Sequence, residues 1–222
     1  MDKIIIDTGN QPTHAVLWLH GLGANGHDFE SLATEIPKSV GLPPTRFVFP
    51  HAPVMPITVN SGAKMRAWYD IASVDLSQQE DEQGMLKTLV DIDVLIEEIM
   101  DAGIVAKNIV LGGFSQGGAI SLLSLTRQQK KLAGVVCLSG YMPLIQKFVD
   151  ETLDFNEVNL QTPVFMAHGT LDNVVPIMAG DVAANLLRHK KFKLSYKRYQ
   201  MTHNVSPDEL KEVALFIKSC LI

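Results

Sequence analysis

Gly113-Phe114-Ser115-Gln116-Gly117 sets a serine between two glycines, G-x-S-x-G, where a short apolar run ends and a helical period begins. The chemistry this permits is nucleophilic. A sharp strand-to-helix turn projects the hydroxyl out of the sheet, the glycines remove Cβ clashes, and the following helix N-terminus presents free backbone N–H groups. A serine hydroxyl attacks poorly at neutral pH, so it needs a neighbouring base that is itself oriented by a carboxylate. Both partners should follow Ser115 at strand ends, in the order serine, acid, histidine.

The acid is sought first. In His168-Gly169-Thr170-Leu171-Asp172-Asn173-Val174-Val175-Pro176, a loop follows a strongly apolar run and precedes a helix, which makes Asp172 the candidate. A loop aspartate is also an ordinary turn residue, so its position at the same sheet edge as Ser115 is what distinguishes it. Seven histidines compete for the base. His14, His20, His27 and His51 precede the nucleophile, His168 belongs to the acid loop, and His189 sits at a helix end beside Lys190 and Lys191. His203, between the last apolar run and the last helical period, is the candidate base. An oxyanion formed at Ser115 would need two backbone donors. Gln116 N–H supplies one by position, and Leu22 N–H, in His20-Gly21-Leu22-Gly23 after an early strand, is the candidate for the other.

The elements that must position these residues alternate along the chain. Candidate strands fall at 15–20, 46–49, 108–114, 134–139, 164–168 and 193–199, several without polar alternation, as expected of strands buried on both faces. Helical period is clearest over 84–102 and recurs at 28–36, 116–125, 176–188 and from Pro207 to the C-terminus, with Ser206 as N-cap. This order predicts an α/β fold with a mostly parallel sheet and helices on both faces, in one domain spanning 1–222. Residues 50–83 and 141–162 fit neither period.

Composition narrows the function classes. The chain has 222 residues, 46% apolar, with 19 basic against 24 acidic side chains and a formal charge of −5. Such a chain folds rather than remaining disordered, and it lacks the basic face that nucleic-acid binding requires. The two cysteines, Cys137 within an apolar run and Cys220, argue against a disulfide framework and fit a reducing compartment. The start, Met1-Asp2-Lys3-Ile4-Ile5-Ile6-Asp7, is too short in apolar residues for a signal peptide, and no run approaches the ~18 residues of a spanning helix. A cytoplasmic location is expected; peripheral contact with a membrane surface and a weak homodimer are left open by the sequence.

With Pro50-His51-Ala52-Pro53 and Arg66-Ala67-Trp68-Tyr69-Asp70 added to the motifs above, the chain resembles, almost end to end, the phospholipase/carboxylesterase family of α/β-hydrolases that includes the acyl-protein thioesterases. The resemblance implies an α/β-hydrolase fold and hydrolysis of carboxylic esters, acyl thioesters or lysophospholipids, with no metal and no organic cofactor. It implies Ser115 as nucleophile, Asp172 as orienting acid, His203 as base, and Leu22 and Gln116 as the oxyanion hole. One departure is that the family commonly has a glycine shortly before the catalytic histidine, where this chain reads Gln200-Met201-Thr202.

An acyl substrate needs a mostly apolar cleft. Residues 50–83 offer Met65, Trp68 and Tyr69 as one wall, and this segment is expected to move as a lid over Ser115 or to pack as a surface excursion, with the polar stretch 77–83 at its end. The second irregular segment carries Leu144, Ile145, Phe148, Val149 and Leu153; the first four are spaced as a short amphipathic helix. Core packing is the commoner fate of such a stripe, with acyl-chain contact at Leu144 or membrane docking as alternatives. Two rival functions remain: a non-catalytic binding protein on the same fold, or a small serine peptidase.

Overall fold

The computed structural model describes residues 1–222 apart from Val74, Ser77, Leu153 and Asp154. The expectations for Ser77 and Leu153 therefore lie outside the described residues. Its nine strands are β1 (Lys3–Asp7), β2 (His14–Leu19), β3 (Thr45–Pro50), β4 (Val54–Ile57), β5 (Ala63–Arg66), β6 (Ile109–Phe114), β7 (Gly134–Leu138), β8 (Val164–Gly169) and β9 (Leu194–Tyr199). The helices are α1 (Leu32–Val40), α2 (Glu82–Asp101), α3 (Gln116–Arg127), α4 (Ile145–Val149), α5 (Ile177–His189) and α6 (Pro207–Leu221).

Seven strands form one sheet in the order β1-β3-β2-β6-β7-β8-β9. Only β1 runs antiparallel to its neighbour; the other pairs are parallel. The period of two along each strand splits the core in two. Ala15, Leu17 and Leu19 of β2 face the side covered by α2, α3 and α5, while Val16 and Trp18 face α1 and α6. Parallel strands so covered need apolar residues on both faces, which is why β6, β7 and β8 read as unbroken apolar runs.

Helix ends follow from local chemistry. Asp81 caps α2 by accepting from Gly84 N–H, and its other oxygen accepts from Asp70 N–H, joining the helix start to the segment before it. Ser206 and Glu209 form a reciprocal capping box at α6, with Pro207 at its first turn.

The sheet has one strand beyond those expected, β1, at its edge. The stretch 50–83, expected to be irregular, folds in part into the antiparallel hairpin β4–β5, pinned where Thr58 N–H donates to the Asp70 carboxylate at 2.8 Å. The amphipathic stripe at 144–149 forms the single-turn helix α4. Leu144 and Phe148 pack into the core at 3% exposure each, whereas Ile145 is half-buried and Val149 is exposed. Among the described residues, no helix is long and apolar enough to cross a membrane.

Candidate active site

Strands β6, β8 and β9 and the loop after β2 deliver their C-terminal ends to one rim of the sheet. Between β6 and α3 the chain turns at Ser115, whose φ of 54° and ψ of −119° are strained for a residue with a Cβ. The strain is held by Ser115 N–H donating to Leu138 O at 2.8 Å and by Ala119 N–H donating back to Ser115 O at 2.9 Å. The turn thus rests on the neighbouring strand on one side and on the first turn of α3 on the other.

His203, in the loop between β9 and α6, reaches both partners. Its Nε2 lies 2.9 Å from Ser115 Oγ and its Nδ1 2.7 Å from Asp172 Oδ2. Because a carboxylate only accepts, Nδ1 carries the proton, and Nε2 is left with a lone pair facing the serine hydroxyl. Asp172 is fixed by its other oxygen, which accepts from Val174 N–H and Val175 N–H at 2.9 Å each. Its side chain is fully buried, while that of His203 keeps 14% exposure. The Phe114 ring lies 4.8 Å from the imidazole and walls its side. No residue from 200 to 203 has positive φ, so the path to His203 is open to Gln200, Met201 and Thr202 without a glycine.

The loop after β2 lies directly on the turn at Ser115: a Cβ at Gly21 would stand 3.4 Å from Ser115 Cβ. Gln116 is the first residue of α3, so its N–H has no intrahelical acceptor. Leu22 follows Gly21 in the loop that abuts Ser115. The arrangement therefore offers a serine with a base in contact, an oriented acid, and two backbone segments converging beside the hydroxyl.

Two histidines that the order argument set aside turn out to frame the site. His20 is buried; its Nε2 accepts from Ala52 N–H at 3.1 Å, so Nδ1–H donates to Gly21 O at 2.7 Å. His168 is also buried and donates from Nε2 to Val175 O at 2.8 Å, closing the acid loop. Burial holds both imidazoles below the usual histidine range. The sequence signal for both was a His-Gly pair ending a strand, His20-Gly21 and His168-Gly169.

Of the four residues expected to touch substrate, three are buried. Trp68 and Tyr69 are 1% exposed and Leu144 is 3% exposed. Trp68 donates its indole N–H to His20 O at 2.8 Å, and the Tyr69 and Tyr141 hydroxyls share a hydrogen bond of 2.6 Å. Leu144 N–H donates to Glu80 Oε1, tying Glu80 to the start of α4. Met65 is half-buried, its sulfur 3.7 Å from where a Cβ of Gly23 would stand. A separate groove of about 520 Å³ runs between Leu76 and Glu80 on one side and the start of α5 on the other, lined also by Met142, Ile145, Pro176, Met178 and Val182. Among the described residues, no group of three or more His, Cys, Asp or Glu side chains is arranged to hold a metal ion.

The chain is similar to known proteins along almost its whole length. The sequence profile of the phospholipase/carboxylesterase family matches residues 1–221. Acyl-protein thioesterase 1 of Neurospora crassa is 39% identical over 211 residues, covering 92% of this chain and 86% of that one. Its counterpart in Gibberella zeae is 37% identical over 224 residues, covering 98% and 95%. Among solved structures, Arabidopsis thaliana SOBER1 superposes with a TM-score of 0.86 at 33% identity, covering 94% of this chain and 99% of that one. Zea mays acyl-protein thioesterase 2 gives 0.85 at 26% identity, covering 100% and 99%. The mostly parallel sheet with helices on both faces is thus the α/β-hydrolase fold, and the chain is a hydrolase belonging to the phospholipase/carboxylesterase family.

Proposed function

We propose that the chain is a serine hydrolase that cleaves acyl oxygen-esters and acyl thioesters through an acyl-enzyme on Ser115. His203 Nε2 takes the hydroxyl proton as Oγ attacks the acyl carbon. The resulting oxyanion is held by Leu22 and Gln116 N–H, and Asp172 stabilises the imidazolium that forms. Collapse of the tetrahedral adduct breaks the bond to the leaving oxygen or sulfur, which takes the proton from His203. Water then attacks the acyl-enzyme with His203 again as base, releasing the carboxylic acid and restoring Ser115.

The observation that carries this reading is the unbroken hydrogen-bond chain Ser115 Oγ, His203, Asp172 at 2.9 and 2.7 Å. The thioesterase relatives favour an acylated substrate. The groove beside Pro176 and Met178 offers apolar walls for an acyl chain at the end of the acid loop.

Active-site labelling tests it. The protein should react with a fluorophosphonate and hydrolyse short nitrophenyl esters and thioesters. Ser115→Ala should do neither, and Asp172→Asn should lose on the order of 10⁴ in kcat. Undiminished turnover in Ser115→Ala would exclude the mechanism. An acyl-length series on Met178→Glu should lose activity on long chains and keep it on acetyl esters.

A further inference from the structure

The side chain of Gln116 does something that the proposed mechanism does not use. It is 2% exposed, and both ends of its amide are engaged with one stretch of backbone 47 and 48 residues upstream: Oε1 accepts from Trp68 N–H at 2.9 Å, and Nε2 donates to Tyr69 O at 2.8 Å. One amide thus clamps the backbone of two consecutive residues. Trp68 in turn reaches the other side of the site, its indole N–H donating to His20 O at 2.8 Å, two residues before Leu22. Thr88 Oγ donates to Trp68 O, so the polar groups of that peptide have fixed partners.

The loop holding Leu22 is tied to the same stretch a second time. Gly23 N–H donates to Arg66 O at 2.8 Å, and Arg66 donates to Ala52 O at 2.7 Å. Ala52 N–H returns to His20 Nε2, and the His20 ring stacks obliquely on the Trp68 indole at 5.1 Å. Two backbone segments that never hydrogen-bond to each other in any strand ladder, 20–23 and 115–117, are thereby bridged by 66–69.

We infer that the Gln116 side chain and the Trp68 indole are positioning groups that fix the spacing between the Leu22 and Gln116 N–H donors. This rests on the proposed mechanism, in which those two N–H groups hold the oxyanion. The value of such a hole lies in its being set before charge develops, and donors that must reorganise during the reaction lose most of their effect. Gln116 serves both ends of the device. Its backbone supplies one donor, and its side chain sets where the other stands.

The test uses the full chain with Gln116→Met, which keeps the backbone N–H and the side-chain length but neither hydrogen bond, and Trp68→Phe, which removes the indole N–H with the five-membered ring that carries it and keeps a six-membered aromatic ring. The expected result for Gln116→Met is a fall in kcat of about 10- to 100-fold with KM within about threefold. Affinity for a trifluoromethyl ketone, whose hemiketal oxyanion occupies the hole, should fall in parallel, while a non-reactive ether analogue should bind as before. A merely structural role would move both ligands together or neither. Trp68→Phe should show the same split at smaller size, and it carries the test alone if Gln116→Met does not fold. A folded variant of either kind that keeps both kcat and the ketone affinity of the native chain overturns the inference. Fluorophosphonate labelling that depends on Ser115 shows separately that the mechanism stands, so a normal Gln116→Met in a Ser115-dependent enzyme defeats the positioning role alone.

Discussion

Gly113 and Gly117 face one another across the turn at Ser115: a Cβ at position 113 would come within 2.4 Å of the Gly117 carbonyl carbon. At 117 a Cβ would meet Leu19 O at 2.3 Å, the last residue of β2. Neither glycine has a positive φ, so space is the requirement. The two absent side chains let α3 start against β6 and let β2 end beside it, which is how Leu22 and Gln116 come to share one rim.

Gly113→Ala should therefore damage stability and activity together. The clash is with backbone, which cannot swing aside, so a penalty of about 1–3 kcal/mol is expected, or roughly 3–10 °C in Tm for a chain of this size. Turnover should fall by more than the stability loss explains, because the turn that aims Ser115 is displaced. Calorimetry with steady-state kinetics on the folded fraction checks this; a variant with native kcat would show that the turn relaxes without moving Oγ.

The motif was readable in the sequence because its steric demand is local. The same holds for β6, β7 and β8, whose apolar runs follow from burial on both faces. Strand β1 was not read although Ile4-Ile5-Ile6 is an apolar, β-branched run, because three such residues closed by Lys3 and Asp7 are short for a strand and, at the sheet edge, leave Ile5 exposed. Hairpin β4–β5 was hidden by Pro56 and by strands of four residues each. Trp68 and Tyr69 show a deeper limit. An apolar aromatic after an irregular stretch suits a cleft and a core equally well, and the choice is made by partners at His20, Gln116 and Tyr141 that no local pattern contains. Leu144 is the same case, its backbone N–H donating to Glu80, far away along the chain.

The stretch 50–83 was expected to move as a lid or to pack in place, and hydrogen exchange separates these by residue. Trp68 N–H is bonded to a buried amide and Gly23 N–H to Arg66 O, so both should exchange on the timescale of the β2 and β6 amides. Amides at 72, 73 and 76, for which no buried partner is found among the described residues, should exchange much faster. Rapid loss of protection at Trp68 under native conditions would mean that the whole stretch opens as one unit, with the Gln116 bridge broken each time.

His168 and His20 should each make the fold less stable in acid. Each is neutral in the fold, held below its usual range first by burial. A depressed base contributes stability that is present above its unfolded value of 6.5 and is lost as pH falls through the lower folded value. For His168 the added proton would fall on Nδ1, which has no partner among the described residues. His168→Gln, whose amide can still donate toward Val175 O, should flatten the decline of Tm below about pH 6. His168→Leu should flatten it too while losing kcat, since the acid loop is then unclosed. An unchanged acid slope in both variants would remove His168 from the account.

Glu209 acts at the other end of the pH range. It is fully buried at the start of α6, and burial raises its carboxyl to about 7 against 4.5 in the unfolded chain, although Ser206 N–H opposes the shift. A raised acid contributes stability that is complete below 4.5 and is lost as pH rises through about 7, because the unfolded chain ionises first. The full effect is at most about 3 kcal/mol by linkage. Glu209→Gln cannot ionise yet keeps the oxygen that completes the capping box with Ser206, so the helix start survives. Above about pH 6.5, where both histidines are already neutral, the native chain should lose Tm toward about pH 8, and the variant should lose less. Because α6 begins four residues after His203, the same titration should loosen the loop that carries the base. A native Tm that is flat across this range, or one that falls equally in Glu209→Gln, would show that the buried carboxylate is compensated by groups other than Ser206.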